Sequence, residues 1–244
     1  MQTKLNDVIK IVLLAALFTR VAPIANAQRI FAHNDYLKPK PFYTAFDLKA
    51  DYIEADIFLQ NGVLVVAHDS TEIDPSKTLE SMYLKPLLKK REELYGVTLM
   101  IDLKVQVMDV LVKELEKFPA LISHPNFTVA ISGNYPPPSE WKKYPAYIWF
   151  DGRPNINYTE DQKERLKMIS TSFSSVSKWN GNGGIPEPDL TKIREVIDHA
   201  HKLNQPVRFW GAPDFENAWD KLEAIGVDVI NSDNIEKLAA HLRN

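Results

Sequence analysis

Short apolar runs rich in β-branched residues alternate along the chain with segments of helical periodicity. Strand-like runs lie at Arg29–Ala32, Ile53–Leu59, Val63–Ala67, Thr98–Lys104, Phe127–Ser132, Tyr147–Phe150, Met168–Phe173, Val207–Trp210 and Val227–Asn231. Helical spacing covers Phe42–Lys49, Leu79–Leu94, Val107–Lys117, Asp189–Leu203, Glu216–Ala224 and Ile235–Leu242. The run at Val63–Ala67 follows the turn residues Asn61 and Gly62, so we expect it to be an added hairpin strand.

The remaining eight strand-like runs alternate with helices, and this order predicts an α/β fold. Over roughly 200 residues it favours a single (β/α)₈ TIM barrel, which residues 28–244 would form as one domain. An open doubly wound sheet is the alternative. The chain has no Gly-x-Gly-x-x-Gly sequence and no P-loop, the usual nucleotide signatures of that alternative. In a barrel, the active site lies at the carboxyl ends of the strands.

Residues 1–27 have the pattern of a signal peptide. Lys4 and Lys10 precede an apolar run, and Ala25-Asn26-Ala27 is a small-residue cleavage site. The apolar run, from residue 11 to 18, is too short to span a bilayer. We therefore expect cleavage before Gln28, export to the periplasm or the medium, and no transmembrane segment in the mature chain. An uncleaved N-terminal anchor is the alternative.

Charge and cysteine content restrict the possible partners. Residues 1–27 contain three of the 29 Lys and Arg and one of the 32 Asp and Glu. The remaining 26 basic and 31 acidic residues give a net charge of −5, which predicts no nucleic-acid partner. The chain has no cysteine, so neither a disulfide nor a lipidated cysteine can form. We expect a monomer.

Two carboxylates two residues apart mark the most informative strand. Glu54 and Asp56 project from the same face of Ile53–Leu59, because successive side chains of a strand alternate. No Lys or Arg separates them, so their repulsion favours a bound cation, and oxygen ligands suit Ca²⁺ or Mg²⁺. The hairpin strand that follows ends at His68. A solvated strand face is the alternative.

The order of these residues along the chain resembles that of the phosphatidylinositol-specific phospholipase C-like phosphodiesterases. This superfamily includes the glycerophosphodiester phosphodiesterases and sphingomyelinase D. Its pattern is a histidine after the first strand, Glu-x-Asp on the second, a His-Asp pair, and acid-x-Lys on the third. The corresponding residues here are His33, Glu54-Ala55-Asp56, His68-Asp69 and Asp102-Leu103-Lys104.

A narrower resemblance is to the altered inheritance of mitochondria protein 6 group. It rests on Ala32-His33-Asn34-Asp35-Tyr36, Glu54-Ala55-Asp56, Thr78–Leu84, Ile101–Lys104, Arg208–Pro213 and Gly226–Asp233. The matches run from residue 31 to residue 233. Each is short, but their order and spacing together are specific. Two positions depart from the glycerophosphodiesterase pattern: Asn34 stands in place of an arginine, and Asp102 in place of a glutamate.

The resemblance implies a phosphoric diester hydrolase that acts on a small-molecule or lipid phosphodiester. Glu54, Asp56 and Asp102 would bind one divalent cation, Ca²⁺ or Mg²⁺, which neutralises the phosphate. His33 and His68 would be general base and acid, with the assignment open. The candidates for substrate binding are Asn34, Lys104, Arg208 and Trp210. The alternatives are ion pairs in the barrel wall for Lys104 and Arg208, and a buried core position for Trp210.

Two other functions are compatible with the same residues. One is a phosphatase or a lyase of the sphingomyelinase D kind, in which a neighbouring hydroxyl of the substrate attacks first and leaves a cyclic phosphate. The other is a binding protein that holds a phosphate ligand without catalysis. Both histidines and all three acids are present in the chain, which favours an enzyme.

Overall fold

Eight parallel strands close into a barrel in the computed structural model of the protein, which describes residues 28–243. The predicted signal peptide, residues 1–27, lies outside the described residues. The strands are β1 (Arg29–Ala32), β2 (Tyr52–Gln60), β3 (Val63–Val66), β4 (Val97–Leu103), β5 (Phe127–Gly133), β6 (Ile148–Gly152), β7 (Leu166–Ser172), β8 (Val207–Trp210) and β9 (Val229–Ser232).

The strand order shows that the sheet is closed. It runs β1-β9-β8-β7-β6-β5-β4-β2, and a further pairing of β1 with β2 joins its ends. In that pairing Phe31 lies beside Tyr52, and Ala32 beside Ile53. The open doubly wound alternative is therefore wrong. Strand β3 pairs antiparallel with β2, as the predicted hairpin strand should.

Helices cover the outside of the barrel. They are α1 (Tyr43–Asp47), α2 (Lys85–Lys89), α3 (Met108–Leu115), α4 (Pro119–Ile122), α5 (Glu160–Lys163), α6 (Glu187–Lys202), α7 (Glu216–Ala224) and α8 (Ile235–Leu242). The predicted helix at Leu79–Leu94 is wrong as one element. It is divided into a π-helical turn at Glu80–Leu84, α2, and a 3₁₀ turn at Arg91–Glu93.

The alternation of side chains along the strands sorts them into two layers. On β2, the side chains of Ile53, Ala55 and Ile57 belong to the large cluster between the sheet and the helices. Tyr52 belongs to a smaller cluster inside the barrel, together with Phe31 and Met100 among others. Glu54 and Asp56 share the face of Tyr52, because they are two and four residues further along the strand. The two carboxylates are therefore directed to the inside of the barrel, above an apolar floor.

The register between strands then aligns the acidic residues. Asp56 of β2 is the partner of Asp102 on β4, and Asp102 is the partner of Ser132 on β5. The hairpin brings His68 to the same level, because the backbone N–H of the preceding residue, Ala67, donates to Asp56 O at 3.2 Å. None of the helices within residues 28–243 has the length and apolar character that a bilayer span requires.

Candidate active site

A pocket of about 270 Å³ opens at the carboxyl ends of the barrel strands. Every residue that the sequence predicted for the site lines it: His33, Asn34, Glu54, Asp56, His68, Asp102, Lys104, Arg208 and Trp210. The lining also includes Ser132, Gly133, Asp151 and Arg153. The strands therefore bring together side chains that are up to 177 residues apart in sequence, between His33 and Trp210.

The carboxylate of Glu54 is buried and surrounded by donors. Its Oε2 accepts a hydrogen bond from the backbone N–H of Asn34 at 3.0 Å and lies 3.6 Å from Nε2 of His33. Its Oε1 lies 3.7 Å from Nη2 of Arg208. Burial raises the pKa of Glu54, although His33 and Arg208 oppose the rise. Asn34 meets Glu54 because its backbone is left-handed, with φ of 49°, a conformation that asparagine tolerates well.

Lys104 joins the other two carboxylates. Its Nζ lies 2.8 Å from Asp56 Oδ2 and 2.6 Å from Asp102 Oδ2. Burial alone would raise the pKa of Asp102, but Lys104 and the hydroxyl of Ser132, at 2.6 Å, outweigh it and the pKa is lowered. The ion pair expected as an alternative for Lys104 is present, and Lys104 also faces the pocket.

Gly133 leaves room for the side chain of Asp102, because it has no Cβ. A Cβ at residue 133 would lie 2.9 Å from Asp102 Oδ1 and 2.4 Å from the carbonyl oxygen of Leu103. The φ of Gly133 is +77°, a value that residues with a side chain rarely adopt. The glycine after Ser132 is therefore required for the close packing of β4 and β5 around the carboxylate.

His33 is paired with an acid from the last strand. Its Nδ1 lies 3.0 Å from Oδ1 of Asp233, which follows β9. Burial lowers the pKa of His33, but Asp233 and Glu54 outweigh it and the pKa is raised. The same pairing lowers the pKa of Asp233. Asp233 is not among the residues that the sequence predicted for the site, since its partner is 200 residues away.

Tyr36 connects the second histidine to the carboxylates. Its hydroxyl lies 2.6 Å from Asp56 Oδ2 and 2.9 Å from His68 Nδ1. Because a phenol has one proton, it donates to the carboxylate and can accept from His68, which leaves His68 Nε2 free. Burial and the charge of Asp56 raise the pKa of Tyr36, so the hydroxyl stays protonated. Sequence reasoning did not predict a role for Tyr36.

The two remaining predicted residues differ in their access to the pocket. Arg208 is 3% exposed; its guanidinium stacks 3.4 Å from the ring centroid of Phe31, and its Nε donates to Asn231 Oδ1 at 2.9 Å. Trp210 is 44% exposed at the pocket mouth. The buried core position considered for Trp210 is therefore wrong.

A second acid and arginine occupy the far side of the pocket. Asp151, at the end of β6, is 2% exposed, and its Oδ2 accepts from Arg153 Nη1 at 2.7 Å and from Ser170 Oγ at 2.6 Å. Neither Asp151 nor Arg153 is among the residues that the sequence predicted for the site. An Arg two residues beyond a strand-end Asp, on the next inward position, is the pattern that could have found them.

Sequence comparisons show which known proteins the chain resembles. Residues 18–106 match the family model of the AIM6-like phosphodiesterase domain. Altered inheritance of mitochondria protein 6 of Eremothecium gossypii is 25% identical over 280 residues, covering 92% of this chain and 71% of that protein. The chain is similar to altered inheritance of mitochondria protein 6. The protein of that name from Saccharomyces cerevisiae (strain ATCC 204508 / S288c) is 23% identical over 273 residues, covering 86% and 70%.

A shorter and stronger match lies in one part of the chain. A homolog of altered inheritance of mitochondria protein 6 from Arthroderma benhamiae is 40% identical over 65 residues, or 24% of this chain and 21% of that protein. The domain match, residues 18–106, contains His33, His68 and the three predicted metal ligands. Arg153, Arg208 and Asp233 lie outside it.

A solved structure supports the fold. The glycerophosphodiester phosphodiesterase of Agrobacterium tumefaciens str. C58 superposes with a TM-score of 0.53 at 14% identity, covering 87% of this chain and 99% of that one. The predicted resemblance to the phospholipase C-like superfamily and to altered inheritance of mitochondria protein 6 is confirmed by these comparisons.

The carboxylates of this pocket have the chemistry that a hard cation requires. Glu54, Asp56 and Asp102 lie on adjacent strands, offer oxygen ligands only, and face one pocket. Each of them is paired with a cationic side chain of the chain itself, and within residues 28–243 no three His, Cys, Asp or Glu side chains enclose a common metal position.

Proposed function

We propose that this chain is an exported, metal-dependent phosphoric diester hydrolase. The observation that carries the proposal is the pair of histidines in one pocket, each fixed by an oxygen partner. His33 is paired with Asp233, and His68 with Tyr36, while the carboxylates of Glu54 and Asp56 lie between them. A binding site for phosphate alone would not require two oriented imidazoles.

The histidines supply the proton transfers. One imidazole takes the proton of the attacking hydroxyl, and the other gives a proton to the leaving oxygen. Asp233 fixes the ring of His33 through Nδ1, and Tyr36 fixes His68 through Nδ1, so each ring would meet the substrate through Nε2. The Nε2 atom of His33 lies 3.6 Å from Glu54 Oε2, at the carboxylate side of the pocket. Which histidine is the base stays open.

Glu54, Asp56 and Asp102 are proposed to bind one divalent cation, Ca²⁺ or Mg²⁺. Such a cation neutralises the phosphodiester monoanion and stabilises the charge that develops in the transition state. Lys104 lies against Asp56 and Asp102 and faces the pocket, where its ammonium would donate to a phosphate oxygen of the substrate. Arg208 remains against Phe31 and Glu54, where it holds the Glu54 carboxylate in place.

The proposed substrate is a glycerophosphodiester or a phospholipid-type diester. The pocket at the barrel mouth admits the phosphate and short arms, and Trp210 offers an apolar face beside it. Where the substrate carries a hydroxyl next to the phosphate, that hydroxyl can attack first and give a cyclic phosphate. The proposed location is the periplasm or the medium, supported by the signal-peptide pattern of residues 1–27.

Hydrolysis of bis-p-nitrophenyl phosphate and p-nitrophenyl phosphate, each with and without EDTA, tests the proposal. Turnover of the diester alone that stops in EDTA supports it. Turnover of the monoester indicates a phosphatase instead. No turnover of either compound in the presence of Ca²⁺ or Mg²⁺ contradicts an enzymatic role and favours a phosphate-binding protein.

A further inference from the structure

The two arginines of the pocket differ in how many of their donors are in use. The guanidinium of Arg208 already contacts its neighbours. Its plane stacks on the ring of Phe31, Nε donates to Asn231 Oδ1, and Nη2 lies 3.7 Å from Glu54 Oε1. Only 4% of its side chain is exposed. Arg153 has 30% of its side chain exposed and lines the same pocket. Arg153 is therefore the arginine that a ligand can reach.

Arg153 is anchored through one edge of its guanidinium. Nη1 donates to Asp151 Oδ2 at 2.7 Å and to Ser170 Oγ at 3.1 Å, and it also approaches the carbonyl oxygens of Asp151 and Gly152. The guanidinium carbon lies 5.7 Å from the ring centroid of Tyr135. These contacts fix the side chain before a ligand binds, so little rotamer entropy remains to be lost.

The opposite edge of this guanidinium is free. Neither Nε nor Nη2 of Arg153 has a hydrogen-bond partner among residues 28–243, whereas Nη1 has several. The N–H groups of Nε and Nη2 are parallel and form the fork that pairs with two oxygens of one carboxylate. Asp151 already compensates the charge of Arg153 at 2.7 Å, which favours a singly charged partner over a dianion.

The strand order places this fork across the barrel from the histidines. Counting around the closed sheet from β1, which precedes His33, β6 is the fifth of eight strands and lies diametrically opposite. The carboxylates lie on β2 and β4, and the histidines follow β1 and the hairpin strand β3. With a phosphate among those groups, Arg153 faces the opposite side of the same pocket, where an ester arm can lie.

We propose that Arg153 is a specificity residue that binds a carboxylate on one arm of the diester substrate. Asp151 and Ser170 hold the guanidinium, and the Nε and Nη2 donors form a bidentate pair with the carboxylate. The pocket of about 270 Å³ restricts this arm to a short one. The inference rests on the proposed function for its phosphate position, and it adds the chemical class of the substrate arm.

Binding of two matched compounds tests this inference without any need for turnover. Phosphoglycolate carries a carboxylate, and phosphoglycolamide has an uncharged amide of the same size in its place. Isothermal titration of the cation-loaded full chain should show a Kd for phosphoglycolate about 10- to 100-fold lower, the range expected for charge-assisted hydrogen bonds. Arg153→Gln should reduce that preference to less than about 3-fold, and Arg153→Lys should keep only part of it.

Arg91→Gln is the matched control, because the Arg91 side chain pairs with Glu92 at 3.7 Å and residue 91 precedes the amino end of β4, outside the lining of the pocket. It should keep the full preference. Equal affinity of the unmodified chain for the two compounds overturns the inference, whether or not any variant folds. So does an equal loss of affinity for both compounds in Arg153→Gln, which would assign Arg153 to the phosphate. Failure of the proposed function would show separately, as absence of diester turnover.

Discussion

The hydroxyl of Tyr36 donates a hydrogen bond of 2.6 Å to the buried carboxylate of Asp56. The same oxygen lies 2.9 Å from His68 Nδ1, so one phenol sets both the rotamer of an acid and the tautomer of a histidine. Position 36 lies in the loop after β1 and position 68 in the loop after the hairpin. Tyr36 therefore couples two loops that the backbone alone would leave independent.

Replacement of Tyr36 by Phe should lower kcat for bis-p-nitrophenyl phosphate by about 10- to 100-fold, which corresponds to the loss of one or two hydrogen bonds to charged groups. His68 would lose the hydrogen-bond partner of its Nδ1 atom, and Asp56 would lose a hydrogen-bond donor. The matched control is Tyr95→Phe, which removes a hydroxyl that donates to the Ala50 carbonyl away from the pocket. Equal kcat values for the two variants would show that Tyr36 has no part in the reaction.

Asp56→Asn should abolish diester turnover while the chain stays folded. The substitution removes one ligand of the proposed cation but also one like charge from a crowded site, so we expect the thermal midpoint to change little. Asp74→Asn is a suitable control, since Asp74 is on the surface and contacts Ser76. Activity that persists in Asp56→Asn, or in the unmodified chain with excess EDTA, would refute the metal site.

Each of His33→Ala and His68→Ala should lower kcat by about 10²- to 10⁴-fold, the usual contribution of general acid–base catalysis. The pH–rate profile of the unmodified chain should be bell-shaped, with one limb from each group. A p-nitrophenolate leaving group needs no proton, so p-nitrophenyl methyl phosphate should rescue only the variant that lacks the acid. Phenyl methyl phosphate should rescue neither. If both variants respond alike to the leaving group, the histidines are phosphate binders.

Asp35 should make the stability of the fold depend on pH. Burial raises its pKa to about 6, against opposing hydrogen bonds from Phe42 N–H and the Tyr83 hydroxyl. The folded chain then holds this proton more tightly than the unfolded chain, so the free energy of unfolding is highest below about pH 4 and falls as pH rises to about 6. A shift of about two pKa units corresponds to about 3 kcal/mol.

Asp35→Asn isolates that contribution, because Asn does not titrate. Urea unfolding of both chains at pH 4, 5, 6 and 7 measures it. The unfolding free energy of the unmodified chain, relative to that of the variant, should fall by about 2 kcal/mol between pH 4 and pH 7, because the unfolded carboxyl is already partly ionised at pH 4. A difference that stays constant over this range would show that Asp35 titrates normally in the folded chain.

Expression in an exporting host tests the predicted signal peptide and localisation of the protein. Cleavage after Ala27 should leave Gln28 as the first residue, and its side chain can then cyclise. Intact-mass measurement of the purified protein distinguishes the products. A mass that still includes residues 1–27 would contradict cleavage, and it would favour the N-terminal anchor.

Local patterns predicted the barrel and much of the pocket. The two-residue spacing of Glu54 and Asp56 was sufficient to place both carboxylates on one face, because strand geometry determines that relationship. The position of His68 followed from the turn at Asn61 and Gly62. These features depend on a few consecutive residues, and so they can be recognised without the fold.

Other features depend on contacts between distant segments. Tyr36 and Asp233 acquire their partners only when different loops meet at the rim, and neither their residue type nor their spacing marks them. The helix predicted at Leu79–Leu94 failed for a local reason. Its apolar residues do have helical spacing, but Pro86 lies inside the segment, and proline favours the start of a helix over its interior. The segment is accordingly divided into a π-turn, α2 and a 3₁₀ turn.

The pairing of His33 with Asp233 joins positions separated by 200 residues, and β1 lies between β9 and β2 in the closed sheet. Folding must therefore complete the last strand before the first histidine acquires its partner, and such long-range contacts form slowly. A chain in which β9 has not yet paired with β1 would therefore lack a complete pocket. Barrel closure would thus link assembly of the pocket to completion of the whole sheet.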